Sequence, residues 1–215
     1  MKKILRIWKQ YSYILLLAFI LLGFFDLRFA IAAVICMAGP IILAFSKGRY
    51  WCGNLCPRGS FYDHLFSRIS NKRKIPKFIK SKYFRLFMVI FVLSMFSYGI
   101  YQSRGNLYEI GMVFYRIILV TTVIGIMLSL FYNHRAWCNF CPMGTIAAFI
   151  SKHRRSKKVL RISSSCVSCR LCEKKCPLEI VPYGYKGDLL SHPDCIQCGR
   201  CVNSCPRNAI GYHKE

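Results

Sequence analysis

Eight cysteines in the C-terminal part of the chain repeat one spacing. The first run is Cys166-x2-Cys169-x2-Cys172-x3-Cys176-Pro177, and the second is Cys195-x2-Cys198-x2-Cys201-x3-Cys205-Pro206. Three thiolates in one short loop can bind three irons of a cubane. The fourth iron then needs a thiolate from elsewhere, and the last cysteine of the other run is the available donor. The spacing therefore predicts one [4Fe–4S] cluster on Cys166, Cys169, Cys172 and Cys205, and a second on Cys195, Cys198, Cys201 and Cys176. Structural zinc sites use separated pairs rather than such triplets, and disulfides are disfavoured in a reducing compartment. Gly199 fits a backbone that must pass close to a cluster.

Four more cysteines form a second pattern. Trp51-Cys52-Gly53-Asn54-Leu55-Cys56-Pro57 and Trp137-Cys138-Asn139-Phe140-Cys141-Pro142 are one motif written twice, the second shorter by one residue. Each ends in Cys-Pro, and proline suits the first position of a following helix, whose free N–H groups favour an anionic ligand set. A third metal centre is expected on Cys52, Cys56, Cys138 and Cys141. A [4Fe–4S] cluster is the first reading. A redox-active dithiol, another metal and buried free thiols stay open. The unequal spacing argues against a symmetric site. The thirteenth cysteine, Cys36, sits in an apolar segment and reads as a small buried hydrophobe.

These thiols need elements to hold them. Four apolar runs, residues 11–25, 29–45, 83–101 and 110–132, alternate with basic segments. The last two are long enough to cross a hydrocarbon core of roughly 30 Å as helices. The first two are shorter and separated only by Asp26-Leu27-Arg28, so they read as a tight helical hairpin, with a re-entrant hairpin as the alternative. Trp8, Tyr11 and Tyr50 can extend that hairpin as interfacial anchors. The basic start of the chain reads as an uncleaved anchor rather than a cleaved signal peptide, because a second apolar run follows at once.

Charge placement orients the helices. Of 215 residues, 32 are Lys or Arg against 8 Asp or Glu, a net charge of +24, while 54% are hydrophobic. Four basic residues precede the first run, eleven fall in 46–85 and seven in 133–165, including Lys72-Arg73-Lys74, Arg154-Arg155 and Lys157-Lys158. The opposite turns carry only Arg28 and Arg104. The positive-inside rule then puts both termini, the middle loop and every cluster motif on the cytoplasmic side of an inner membrane. The basic runs flank membrane helices and grip anionic headgroups, which argues against nucleic-acid binding.

Each motif follows an apolar helix and precedes a short amphipathic stretch, with Phe61, Leu65 and Ile69 on one face in the first and Ile146 and Ile150 in the second. The chain thus reads as an internal duplication with parallel topology, whose pseudo-twofold axis lies along the membrane normal. The expected fold is an α-helical membrane protein. Residues 1–160 form four transmembrane helices as two parallel-topology hairpin repeats, and residues 161–215 form a small α+β two-cluster module. Arg116, with Glu109 seven residues earlier, is an ionisable residue within a membrane helix and so a functional candidate, with snorkelling as its plain explanation. Arg49, His134 and Arg135 beside the motifs are candidates for contact with a quinone headgroup or the third centre, with interfacial anchoring as the alternative. His64 and His153 receive no role. The chain shows no haem motif, dinucleotide fingerprint or phosphate loop.

Residues 166–180 and 195–210 closely resemble ferredoxin half-repeats. With four apolar helices and the two Trp-Cys motifs, nearly the whole chain resembles the NapH-type membrane ferredoxins, whose relatives include the membrane parts of NosR-type and CcoG-type proteins. It departs from them in the two-residue spacing of the second motif and in lacking the periplasmic flavin domain of the NosR type. The resemblance implies a membrane-bound iron–sulfur protein that passes electrons between the quinone pool and a partner oxidoreductase or soluble carrier. It leaves open whether the chain acts as a quinol dehydrogenase or as an electron-transfer subunit. The alternatives are a CcoG-like metal-reducing or metallocentre assembly factor, and a redox sensor. With clusters bound, the C-terminal module turns slightly negative. Its loops can then dock on a basic patch of a partner or on the chain's own basic segments.

Overall fold

The computed structural model describes residues 2–71, 73–153 and 160–212. Lys72, Arg154, Arg155, Lys157 and Lys158 of the basic runs lie outside the described residues. Four long helices dominate: α1 (Lys2–Phe25), α2 (Ala33–Lys47), α5 (Lys82–Gln102) and α6 (Leu107–Phe131). Stretches of 19, 21, 21 and 25 residues within or around them are long and apolar enough to cross a membrane. The first two runs therefore gain the length that their apolar cores alone lacked. Large side chains such as Phe25, Ile42, Phe87, Ile90 and Phe131 are exposed on these helices, and α5 buries none of its residues. Such surface is what lipid covers, since a helix satisfies its own backbone polar groups. Caps set the starts of the second pair: Ser81 accepts from the Phe84 N–H and Asn106 from the Tyr108 N–H.

The expected tight hairpin of the first two helices is not the observed packing. A 3-10 turn, Leu27–Ala32, joins α1 to α2 and lies against α6, while α1 and α2 make few direct contacts. Tyr115 of α6 donates from its hydroxyl to the Ile20 carbonyl of α1 at 3.2 Å. The third element beside α1 and its turn is thus α6, and apolar groups in that layer, Ala30, Ala33 and Phe114, form one buried cluster. Helices α5 and α6 do pack against each other.

The thiol motifs cap one end of this bundle. The first forms α3 (Tyr50–Asn54) and α4 (Pro57–Phe61), and the second a 3-10 turn (Ala136–Asn139) and α7 (Pro142–His153). Helix α4 packs along α1, and α7 packs against both α5 and α2. Phe61, Leu65 and Ile69 do not share a buried face: the chain widens into a π-type turn at Tyr62–Phe66, and Phe61 is buried while Leu65 and Ile69 are exposed. That turn breaks the four-residue register and places Tyr62 in the core, where its hydroxyl donates to the Thr122 carbonyl of α6 at 3.2 Å.

Beyond the bundle, β1 (Leu160–Ile162) pairs antiparallel with β2 (Ile210–Tyr212), and they enclose α8 (Leu171–Lys174) and α9 (Arg200–Asn203). Leu160, Ile162, Leu178, Ile180, Leu190, Ile196 and Ile210 form the core of this module. Its halves repeat in backbone conformation. Left-handed residues occur at Ser168, Arg170 and Glu179 and again at Gln197, Gly199 and Asn208. Of these only Gly199 is a glycine, and a side chain there would meet the Tyr212 hydroxyl. The glycine thus answers to Tyr212 as well as to its φ of +77°.

Candidate functional site

The structure gathers the module's thiols into two sets. Cys166, Cys169, Cys172 and Cys205 line one cavity with Val167, Leu171 and Tyr183. Cys176, Cys195, Cys198 and Cys201 line a second with Pro177, Ile196 and Leu178. Each cavity holds three thiols of one run and the last of the other. The exchanged cysteines are held alike: the Cys176 sulfur accepts from the Ile180 N–H at 3.4 Å, and the Cys205 sulfur from the Ala209 N–H at 3.3 Å. Burial pushes the Cys201 thiol up to about 12, with the facing Cys198, Cys195 and Cys176 adding to the shift. Thiols so crowded ionise only with a cationic partner among them. Among the described residues no three His, Cys, Asp or Glu side chains close on a single-ion position.

The membrane motifs meet at the end of the bundle. Cys52, Cys56 and Cys141 border an apolar cavity of about 150 Å³ between α2, α5 and α6. Cys138 is close enough to Cys52 and Cys56 to act on both electrostatically. Burial pushes the Cys52 thiol up to about 12, and the Arg49 guanidinium opposes it. The two motifs grip each other through their arginines. Arg49 donates to the Cys138 carbonyl at 2.6 Å, and Arg135 donates to the Cys52 carbonyl at 2.8 Å. Each guanidinium passes over a glycine of the opposite motif. A methyl group at Gly144 would meet Arg49 Nη2, and one at Gly59 would meet Arg135 Nη1, both at 2.5 Å. Arg135 also reaches the Cys138 sulfur at 3.6 Å.

Both arginines are 1% exposed, so neither is an interfacial anchor. Carboxylates balance them. Asp63 takes a bidentate pair from Arg135 at 2.9 and 2.6 Å, and Asp194 takes Arg49 at 2.8 Å and Arg85 at 2.8 and 3.1 Å. Burial works against ionisation of both acids. Arg135, His134 and Arg200 outweigh it at Asp63, and Arg49 and Arg85 outweigh it at Asp194, so both stay below the usual carboxylate range. His134 is buried beside Asp63, and its Nε2 lies 2.6 Å from Arg200 Nη1. A neutral ring accepting from Arg200 fits that geometry, and burial lowers the ring's basicity accordingly.

The sequence reading passed over a third arginine. Arg58, which follows the first Cys-Pro, lines the apolar cavity, donates to Thr121 Oγ1 at 2.8 Å and to the Cys141 sulfur at 3.5 Å, and stacks over the Trp137 ring at 5.3 Å. Burial opposes its charge, but Cys141, Tyr62 and Cys56 outweigh it and hold the guanidinium protonated. A cation inside a run bounded by Cys56 and Phe61 was the available signal. Of the four proposed quinone contacts, Arg49, His134 and Arg135 are engaged in the polar layer and do not line the cavity, and Arg116 is exposed on α6 away from its walls. Glu109 is likewise exposed. Cys36 is not buried. It is exposed on α2 and lines the cavity with Met37. His64 faces the Lys9 carbonyl, and His153 the Phe149 carbonyl.

The C-terminal module docks on these motifs through the loop of its second thiol run. Asn54 donates to the Gln197 carbonyl at 3.3 Å, Gln197 donates to the Lys47 carbonyl at 2.8 Å, and Lys9 donates to the Cys198 carbonyl at 3.0 Å. Gly53, the extra residue of the longer motif, lies directly against the Ile196 carbonyl, where any side chain would collide with backbone. A second latch holds Glu179, which accepts from Lys80 at 2.5 Å and from the Ile75 N–H at 3.0 Å. As a result Cys52 packs in the same buried cluster as Cys172 and Cys201, with Cys138, Cys176, Cys195 and Cys198 against it.

Comparison with known proteins agrees with this division. Residues 29–76 and 115–161 each match a family described as a 4Fe-4S binding domain, and residues 165–210 match the 4Fe-4S dicluster domain. The chain carries 4Fe–4S ferredoxin-type domains. The double match falls on the two membrane motifs and the dicluster match on the C-terminal module. Two uncharacterized proteins of Methanocaldococcus jannaschii are 28% and 27% identical, over 70% and 65% of this chain and 60% and 63% of their own lengths. YccM of Escherichia coli, provisionally named an electron transport protein, is 28% identical over 69% of this chain and 47% of its own. The chain thus spans less than two-thirds of each of these relatives. No solved structure matches.

Proposed function

We propose that the chain is a membrane-bound iron–sulfur protein that passes electrons between the quinone pool and a partner oxidoreductase or carrier. The observation that carries this reading is the shared packed core: Cys52 belongs to the same buried cluster as Cys166, Cys172 and Cys201, with Cys138, Cys176, Cys195, Cys198 and Cys205 packed against it. The donor chemistry fits clusters at three places. Cys166, Cys169, Cys172 and Cys205 would hold the outer one, Cys195, Cys198, Cys201 and Cys176 the middle one, and Cys52, Cys56, Cys138 and Cys141 the one at the membrane. Each would supply one-electron redox chemistry. A cluster on four thiolates carries a net charge of about −2, and the buried Arg49 and Arg135 with the half-buried Arg58 around the membrane set supply positive charge.

The chain's own residues set the rest. The cavity between α2, α5 and α6 opens on Cys56 and Cys141 and has apolar walls suited to a quinone ring. Arg58 and Thr121 are its polar groups, placed to orient a quinone carbonyl and to keep positive charge where it becomes reduced. Trp51 and Trp137, whose buried indole N–H groups have no hydrogen-bond partner among the described residues, border the same space. Val167, Cys169 and Arg170 of the outer thiol loop are exposed and offer the exit to a partner. The test is purified protein in lipid, mixed anaerobically with a quinol and followed by electron paramagnetic resonance (EPR). Reduction of cluster signals by quinol, or quinone reduction by the prereduced protein, is expected. Silence in both directions would overturn the reading.

A further inference from the structure

The two membrane motifs hold their arginines by the same plan, but not with the same parts. Arg135 crosses to the Cys52 carbonyl and passes over Gly59, and its carboxylate, Asp63, stands four residues beyond that glycine in the same half of the membrane domain. Arg49 crosses to the Cys138 carbonyl and passes over Gly144. Four residues beyond Gly144 the chain has Ala148, which is buried and carries no charge. The second half therefore lacks the acid that the first half uses. Arg49 is enclosed and its Nε has no hydrogen-bond partner among the described residues, so without a carboxylate it would be a buried cation held by one carbonyl. Leaving such a charge unpaired is strongly unfavourable. The missing oxygen comes from the C-terminal module, where Asp194 Oδ1 lies 2.8 Å from Arg49 Nη1.

We infer that Asp194 is a positioning residue for the membrane thiol set: it stands in for the carboxylate absent at Ala148, so docking of the C-terminal module completes that site. The inference rests on the reading that Cys52, Cys56, Cys138 and Cys141 hold a redox centre. It makes the module more than the next station for an electron. With the module docked, Arg49 is fixed against the Cys138 carbonyl and its charge is paired with Asp194, which also takes Arg85. With the module displaced, the guanidinium loses its acid and adds positive charge beside the thiols. The membrane centre and its neighbour are thereby coupled through one side chain, which also sits next to Cys195 of the middle set.

The test uses the full chain in lipid, with iron analysis and potentiometric EPR. The membrane centre's signal is the one lost when Cys52, Cys56, Cys138 and Cys141 are all changed to Ser. Asp194→Asn keeps the shape of the side chain but removes the carboxylate charge that Arg49 and Arg85 share. That signal should then shift to a higher midpoint potential, because extra positive charge favours the reduced form. Glu179→Gln weakens the other docking latch without touching Arg49 and should leave the midpoint in place. Adding Ala148→Asp to Asp194→Asn should move it back toward the original value. If that double variant does not fold, the contrast between Asp194→Asn and Glu179→Gln decides alone. An unmoved midpoint in Asp194→Asn, or an equal shift in Glu179→Gln, overturns the inference. If the four-serine variant loses neither iron nor a signal, it is the redox-centre reading beneath that fails, and the inference falls with it.

Discussion

Gly53 is the residue by which the two Trp-Cys motifs differ in length. The sequence shows the difference and predicts an asymmetric site, but spacing alone cannot say what the extra residue is for. Its place against the Ile196 carbonyl gives the reason: here the first motif must meet another backbone. Gly53→Ala would drive a methyl group into that carbonyl. Overpacking of this kind costs about 1–3 kcal/mol, and here the strain falls on the docking surface. The expected result is a lower thermal midpoint for the whole chain with unchanged iron content in the isolated protein. An unaltered midpoint would show that the two surfaces are not held together. The cysteines were the most legible residues, since thiol spacing carries ligand chemistry directly. The change of Cys52, Cys56, Cys138 and Cys141 to Ser should remove about one cluster's iron and leave the two module signals intact, as read by iron and sulfide analysis. Retention of all the iron would refute a membrane-level cluster.

At the scale of elements, hydropathy located the four long helices because each must present an apolar surface along its whole length. It could not show which helices touch. The short connection predicts an α1–α2 hairpin, but helices pack by shape rather than by connectivity, and α6 lies beside α1 and its turn. The stretch after Cys56 was misread for a related reason. A four-residue apolar period describes a regular α-helix, and the π-type turn at Tyr62–Phe66 adds a residue to the turn and sends Tyr62 inward. The same stretch hid Arg58, which looks like one more basic residue in a basic segment. Its counterpart after the second Cys-Pro is Met143, which lines the same cavity. Arg58→Met should therefore keep the apolar packing while removing the bonds to Cys141 and Thr121. Hydrogen bonds to a charged group are worth about 1.5–3 kcal/mol. A lower midpoint for the membrane centre is expected, together with slower reduction by quinol and unmoved module signals. A rate and midpoint equal to those of the unaltered chain would remove Arg58 from the site.

At the scale of the whole molecule, the scarcity of acids turns out to matter as much as the excess of bases. Only 8 Asp and Glu stand against 32 Lys and Arg, and Asp63, Glu179 and Asp194 all lie where the module meets the bundle. The sequence allows the module to rest on the chain's own basic segments, and the half-buried Glu179 and Asp194 of the module do so. Which acids meet which arginines depended on the tertiary fold. One consequence is a dependence on pH. His134 lies in this layer between Asp63, Arg135 and Arg200, and its basicity is lowered chiefly by burial, with Arg200 and Arg135 opposing the pull of Asp63. The folded chain then binds fewer protons at His134 than the unfolded chain does, so stability rises with pH there. The contribution is complete above the unfolded imidazole value of about 6.5. It is lost as pH falls below that value toward the lowered folded one. Asp63 and Asp194 act in a separate window, because their depressed values place the loss below the ordinary carboxylate range of about 4. Between about pH 7.5 and 5.5 the thermal midpoint of the unaltered chain should fall, mainly through His134. His134→Gln, whose amide oxygen can still accept from Arg200, should flatten that slope while keeping the midpoint at the higher pH. An equal fall in both proteins would place the titrating group elsewhere in the docking layer.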